Sequence, residues 1–388
     1  MYRELIVRLV RCKNIHRTTV ILLAVLTLGL TASPFAAVIV DFKQSANNET
    51  NGTIQGLGNV HWINSIVQSS NSVYYEGMGN YQRSIFAETP ITTGNIHTLT
   101  FSHQFTKGGI HAYDFLVSWD QAHADNAAAL GVPIQINQCG EVIGPPASLD
   151  DSCANLHSSG FFVDVEVPDD PYISKDGSTA SKIAAYEAIR GNRTIRIYGN
   201  APISNASLSL CHDVVNEDDD GDSYALYTLT WTSTSSQILT EMAGHLAITG
   251  TDNTGMNWGP GLGSSQINGG PYHFKLDKLG GSISNAATCP QVQSQQTSLG
   301  SQDNQIKGAD ILVPCPTCEI SGPIGPFCPG SAAQVYSVTL DGTCPDQSTI
   351  TWSITENTSG AFFDGGNTGT SVSVNPGPNC GGFTLTSS

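Results

Sequence analysis

"HTLTFSHQFT", residues 97–106, decides the fold class, because Leu99, Phe101 and Phe105 occupy alternate positions with threonine, serine and glutamine between them. A period of two is what a half-buried strand demands, since successive side chains point to opposite faces of a sheet. The alternation recurs along the chain. In "FFVDVEV" (161–167) Phe161, Val163, Val165 and Val167 oppose Phe162, Asp164 and Glu166. "RTIRIYGNAPISNASLSLC" (193–211) reads as a hairpin, with Ile195 and Ile197 before an Asn-Ala-Pro turn and Leu208 and Leu210 after it. "YALYTLTWTS" (224–233) and "ILTEMAGHLAIT" (238–249) continue the series. Helical spacing occurs in "STASKIAAYEAIR" (178–190), through Ile183, Tyr186 and Ile189.

Only 13% of the 388 residues are charged, and turn formers are abundant, a composition of β structure rather than helical bundles. The expectation is all-β: a large β-sandwich domain over 38–314, then a truncated immunoglobulin-like β-sandwich over 331–388. "PCPTCEISGPIGPFCPGS" (314–331) marks a Pro/Gly/Cys-rich linker, placed at 315–330. Beyond it, "AQVYSVTL", "STITWSIT", "TSVSVN" and "GGFTLTSS" are four strand candidates, with Trp352 in the second as a core residue beside a Cys344–Cys380 disulfide. An immunoglobulin-like domain needs about seven strands in roughly 100 residues, and 61 follow Phe327. The chain therefore reads as a fragment of a longer protein.

Residues 1–37 read as an export signal. Arg3, Arg8, Arg11, Lys13 and Arg17 precede the apolar "VILLAVLTLGL" and the small residues of "TASPFAA", with cleavage expected between Ser33 and Ala37. That apolar run is shorter than the ~20 residues a membrane span needs, and no later stretch is apolar enough to cross. Removing the leader leaves 11 basic against 32 acidic residues, a formal charge of −21. Nucleic acid is excluded as a partner, since phosphate binding needs a basic footprint. Nine of the ten cysteines lie beyond the leader, as expected of an exported chain that keeps them oxidised. Cys139 and Cys153 would close one short loop.

Four residues carry a Ca2+ pattern: Asn216, Asp218, Asp220 and Asp222 in "NEDDDGDS" alternate around Gly221 as in the first half of a calcium loop. Position twelve holds Tyr227 instead of glutamate, which excludes an EF-hand and leaves a simple surface turn or a solvated acidic loop. No cofactor is required, and Ca2+ is the one ion the pattern accommodates. In "TKGGIHAYDFLVSWD" (106–120), His111 and Asp114 are either a catalytic dyad or metal ligands, with His103, His245 or His273 in support, or a hydrogen-bonded polar corner; the corner is favoured. "CPTC" (315–318) sits among prolines rather than at a helix start, which favours disulfide bonding over redox work. Glu76, Glu166 and Glu241 lie in or near strands, and nothing selects a glycosidase pair among them. Trp62, Tyr74, Tyr75, Tyr81, Trp119, Trp258 and Tyr272 flank Gly- and Asn-rich segments, where exposed rings would form a sugar platform. Trp62, Tyr75, His111, Asp114, His245, Trp258, Tyr272 and His273 are thus the candidate ligand-binding set, with core packing the alternative for most of the rings.

"NSVYYEG" (71–77) with "YQR" (81–83), "TKGGIHAYDFL", "AGHLA" (243–247), "NWGPGLGSSQINGGPYHF" (257–274) and "LGSQDNQI" (299–306) together resemble an uncharacterised module of large exported bacterial surface proteins. In that group a Cys-rich linker and an immunoglobulin-like or PKD-like repeat follow, which "TWSITENTSGAFF" (351–363) resembles. The resemblance implies a secreted or cell-surface, modular β protein and assigns no catalytic residue. The leading expectation is an adhesion or scaffold protein whose partner is an extracellular glycan or surface protein. Two alternatives stand beside it: an extracellular hydrolase using His111, Asp114, His245 and His273, and a purely structural spacer.

Overall fold

The computed structural model describes residues 38–49, 56–140, 148–214, 220–250, 255–284, 292–293, 295–314, 319–339 and 350–387. It is β-rich, with three short α-helices among the described residues. The deciding stretch lies in strand β4 (Ile96–Lys107), where Leu99, Phe101 and Phe105 are all buried. β4 is central to a sheet ordered β12 (Ile203–Val214), β13 (Ser223–Ser233), β4, β15 (Tyr272–Gly280), β18 (Thr297–Ile306), and β5 (Ile110–His111) folds back onto it. A second sheet runs β7 (Gln135–Ile136), β2 (Asn59–Ile63), β1 (Val40–Ala46), β3 (Gly79–Phe86), β14 (Ile238–Leu246), β11 (Thr194–Gly199), β8 (Phe162–Glu166), with β6 (Tyr113–Val117) also on β14. Within this sheet only β2 and β7 pair in parallel.

Both sheets feed one hydrophobic cluster. Phe42, Phe86, Ile195, Ile197 and Met242 come from one sheet, and Leu99, Phe101, Tyr227, Leu229, Phe274 and Leu276 from the other. The rings of Tyr227, Phe101 and Phe274 stack in succession at 5.2 and 6.1 Å. Every residue of β3 and of β14 is buried, so neither strand alternates cleanly in sequence. Helices explain this. Tyr81 and Ala243 lie under α1 (Trp119–Leu130) and α3 (Thr179–Arg190), in a cluster with Ala122, Ile183 and Tyr186. Ile85 and Leu239 share a cluster with Leu156 of α2 (Ser148–Ser158). A strand covered on both faces has no reason to carry a polar side.

The helical spacing at 178–190 forms α3, although Ile189 is exposed rather than buried. α1 has a complete capping box, in which Ser118 accepts from the Gln121 N–H and the Gln121 side chain accepts from the Ser118 N–H.

The expected hairpin at 193–211 is not one. β11 pairs with β14 and β8, whereas β12 pairs with β13, so the Asn-Ala-Pro turn carries the chain from one sheet to the other. The segment joining β13 to β14 makes the reverse crossing beside it, and the two are bonded together. Asn200 binds the Ser236 side chain and N–H at 2.9 and 3.0 Å, and Ser233 Oγ donates to the Pro202 carbonyl at 2.8 Å. These polar contacts satisfy backbone groups that have left their ladders.

Two small hairpins, β9 (Ile173–Ser174) with β10 (Gly177–Ser178) and β16 (Ile283–Ser284) with β17 (Val292–Gln293), decorate the connections. Toward the C-terminus, β19 (Glu319–Ser321), β20 (Gln334–Thr339), β23 (Ser371–Asn375) and β22 (Phe362–Phe363) form one sheet. β21 (Trp352–Thr355) pairs with β24 (Thr384–Ser387). Trp352 is buried among Tyr336, Val338, Val372 and Val374, and its indole N–H donates to the Gly369 carbonyl at 2.8 Å. β19 comes from the stretch assigned to the linker, and its pairing with β20 adds Glu319–Ser321 to the C-terminal sheet. Among the described residues no helix is long and apolar enough to cross a membrane.

Candidate functional site

The Gly-Gly of "TKGGIHAYDFLVSWD" makes a two-residue hairpin turn. Gly108 and Gly109 have φ of 57° and 77°, between partners Lys107 and Ile110. Positive φ at both central residues is the requirement of this turn, which glycine meets without strain. The chain then leaves β5 and enters the other sheet as β6, on β14. His111 and Asp114 therefore straddle a crossing between sheets, and they do not bond to each other. Asp114 pairs with His245, whose Nδ1 lies 2.7 Å from Oδ1, and its other oxygen accepts from the Trp258 indole N–H at 3.3 Å. His111 lies flat on the other side of this group: its ring stacks on Trp258 at 3.7 Å, and its Nε2 is 3.1 Å from Asp176 Oδ2.

Three histidines in this region share one arrangement, each stacked on an aromatic ring and bonded to an aspartate. His111 has Trp258 and Asp176, His245 has Phe115 at 4.5 Å and Asp114, and His212 has Tyr172 at 4.2 Å and Asp170 at 2.6 Å. Phe105 presents edge-on contacts to His111, Tyr172, His212 and Trp258. Glu76 pins the loop that carries Trp258, accepting from the Thr249 N–H at 2.7 Å and from the Ser265 N–H and hydroxyl at 2.9 and 2.7 Å. Gly263 is required there, since a Cβ would stand 2.4 Å from Glu76 Oε1.

The electrostatics follow from burial. Desolvation, with Lys175 and Lys182 nearby, pulls His111 down to about 3. Desolvation likewise takes His103 to about 3, while its Nε2 bonds the Tyr227 hydroxyl. Burial alone would lower His245 too, but the Asp114 charge and hydrogen bond raise it above its ordinary value. Burial raises Glu76, against the bonds from Thr249 and Ser265. His111, Asp114 and His245 are each 1% exposed or less, so a substrate reaches none of them without opening the corner.

The remaining expected residues are dispersed. His273 pairs with Asp303 at 2.9 Å across β15 and β18. Tyr272 is buried edge-on against Tyr113, Tyr75 is half-buried, and Trp62 is buried with its N–H donating to the Asn137 carbonyl. Trp62, Tyr74, Tyr81, Trp258 and Tyr272 are all buried, which is the core-packing alternative, so none of them offers an exposed face to a sugar. Asp220 forms an ion pair with Lys175, and Asp222 accepts from the Gly108 N–H at 3.0 Å; Asn216 and Asp218 lie outside the described residues. Cys139–Cys153 is a disulfide, as expected, and it leaves the nearby His157 without thiolate partners for a metal. Cys380 is an exposed free thiol, which corrects the expected bridge to Cys344, a residue outside the described ones. Cys211 is disulfide-bonded.

A different place is open. Between α1 on one side and Ile136 and Gln138 on the other, the outer face of the second sheet is left open as a cleft of about 380 Å3. Its floor is part of a cross-strand row, Asp164–Arg196–Glu241–Arg83–Lys43, one residue from each of five adjacent strands. The row grades from exposed Asp164 through half-buried Arg196 to buried Glu241, Arg83 and Lys43. Arg196 grips Asp164 with a two-point fork at 2.6 and 2.8 Å. His157 of α2 lies 3.0 Å from Glu241. Arg83 bonds Asp41 at 2.9 Å, covers the Trp62 ring and donates to the Gln138 and Gly140 carbonyls beside the disulfide. Ser118, Trp119, Asp120 and His123 form the α1 wall, with Gln138 and Tyr198 opposite. The half-buried Trp119 stacks on Trp62 at 5.1 Å and anchors its N–H on the Met242 carbonyl.

Sequence reasoning named Trp119 and Glu241 but did not join them. One signal was readable: Ser118 and Gln121 form a capping box, which starts a helix at Trp119 and so gives that ring a helical wall rather than a loop. The register that aligns Glu241 with Arg196 and Asp164 depends on the sheet crossings and has no local trace. No family model, curated protein or solved structure matches the chain.

Proposed function

We propose that the chain is an exported β-sandwich protein of the cell surface or medium that works by binding, as an adhesion or scaffold module. The carrying observation is the sealing of the His/Asp corner, since a general base must come within about 3 Å of the proton it takes. The side chains that both sheets place in one cluster support the sandwich reading. The immunoglobulin-like reading of 331–388 rests on the buried Trp352 and the strands around it. Export rests on the leader at 1–37, which lies outside the described residues, and surface location on the resemblance to exported bacterial modules. A glycan or surface protein is the partner class.

The test is a broad panel of chromogenic glycosides and esters with the purified full chain, its Asp114→Asn variant and its His111→Ala variant. Binding without chemistry predicts no turnover by any of them. Turnover that disappears in a still-folded His111→Ala protein would establish the hydrolase instead. Ca2+ at the turn containing Asp220 must displace Lys175, and a calorimetric titration without heat or thermal shift at millimolar Ca2+ would remove it.

A further inference from the structure

We propose that the cleft between α1 and the Ile136 and Gln138 side chains is a binding site for an uncharged saccharide, with Trp119 as its stacking wall and the Asp164–Arg196–Glu241 row as its hydrogen-bonding floor. This rests on the binding reading above and names the ligand class and the place.

Three features of the cleft select that ligand. Its volume, about 380 Å3, falls near the low end of the roughly 300–1,000 Å3 that enclose small ligands, which suits a short saccharide rather than a polymer groove. Trp119 is held rigidly, by stacking on Trp62, by Tyr81 edge-on at 5.8 Å, and by its anchored N–H, while its remaining surface lines the cleft. A fixed indole face packs against the apolar C–H face of a sugar ring without further loss of side-chain freedom. The floor and walls supply fixed partners for hydroxyls: carboxylates of Asp120, Asp164 and Glu241, the Thr194 and Ser118 hydroxyls, and the Gln138 amide. Carboxylates already oriented by an arginine or histidine accept hydroxyl protons without reorganising.

The charge balance selects further. Three carboxylates line the cleft against a single guanidinium, and that guanidinium is committed to Asp164. An anionic sugar would meet Asp120 and Glu241 with no free counter-charge from Arg196, so sialylated or uronic ligands are disfavoured. A hydroxyl-rich neutral ring meets donors and acceptors and brings no charge to be neutralised.

Binding is tested by isothermal titration of the full chain with a panel of neutral disaccharides, cellobiose, maltose, lactose and chitobiose, and with sialyllactose as the anionic control. At least one neutral sugar is expected to bind and sialyllactose is not. Trp119→Ala should weaken that binding at least tenfold and Trp119→Phe should retain most of it. Trp119 also supports the core, so Asp120→Asn is the second probe: Asp120 is exposed, the variant should keep its circular dichroism spectrum, and binding should fall several-fold. Overturning results are no binding by any neutral sugar, stronger binding of sialyllactose, or neutral-sugar binding unchanged in both Trp119→Ala and Asp120→Asn. None of these bears on the turnover panel, so failure of this site and failure of the non-catalytic reading are separable.

Discussion

Acidifying the protein from pH 7 to pH 5 should strip away a large part of its stability, and His111 should account for a definable share. His111 is neutral in the native state, with its pKa near 3, and its Nδ1 is buried without a hydrogen-bond partner, so a second proton has nothing to meet. In the unfolded chain the same ring titrates near 6.5. A folded pKa below the unfolded one means that the contribution is present above pH 6.5 and is lost as the pH falls toward 3. At pH 5 the unfolded state has gained about 1.5 pH units of protonation free energy, or roughly 2 kcal/mol, for this group. His103 has the same depressed pKa and adds a similar loss, for a pair total of about 4 kcal/mol. His245 works in the opposite sense: its raised pKa stabilises below 6.5, and that benefit is lost as pH rises through its folded value. Comparison with His111→Gln cancels that offset, because glutamine can still donate to Asp176 and does not titrate. Urea unfolding at pH 7 and pH 5 should therefore show wild type losing about 2 kcal/mol more than the variant. Parallel losses in the two proteins would refute the claim that His111 is held neutral by burial.

Three further perturbations follow. Asp114→Ala removes the acceptor of both His245 and the Trp258 indole, and leaving these buried groups without a partner should cost about 1–3 kcal/mol each in urea unfolding. Cys139→Ser opens the loop closed by the Cys139–Cys153 bond, with a sequence separation of 14, and should lower stability by about 3 kcal/mol; reductant added to the wild type should reproduce most of that shift in the thermal melt. Gly244→Ala places a Cβ 2.6 Å from the Tyr113 ring, an overpacking that should cost about 1–3 kcal/mol and be partly relieved by Tyr113→Leu in the same chain.

Strands with one wet face were legible in the sequence because their alternation is a local consequence of one-sided burial. β13, β15 and the strand of Trp352 are of this kind, whereas β4 alternates in sequence although its polar face is buried as well. β3 and β14 were less legible because helices cover their outer face, and the Asn-Ala-Pro crossing looked like a hairpin because a turn residue does not reveal which sheet the next strand joins. α1 was readable from Ser118 and Gln121, yet the neighbouring alternation masked it. The corner set was half legible. Gly108–Gly109 signalled the turn, and His111, Asp114, His245 and Trp258 do meet, but their pairing crosses between partners: Asp114 serves His245, and His111 is served by Asp176. His273 separated from them because its alternate position on β15 turns it away from the buried Tyr272 and Phe274, and there it pairs with Asp303. The cleft was the least legible feature, since its floor is assembled from single residues of strands far apart in sequence.

The central claim is that the histidines most suggestive of catalysis are sealed, and diethylpyrocarbonate modification tests it directly. The native full chain is treated at neutral pH and each histidine is read by peptide mass mapping. The account predicts rapid modification of His123, which is exposed on α1, and protection of His111, His103 and His245 until denaturant is added. Modification of His111 and His245 in the native protein at the rate of His123 would contradict it.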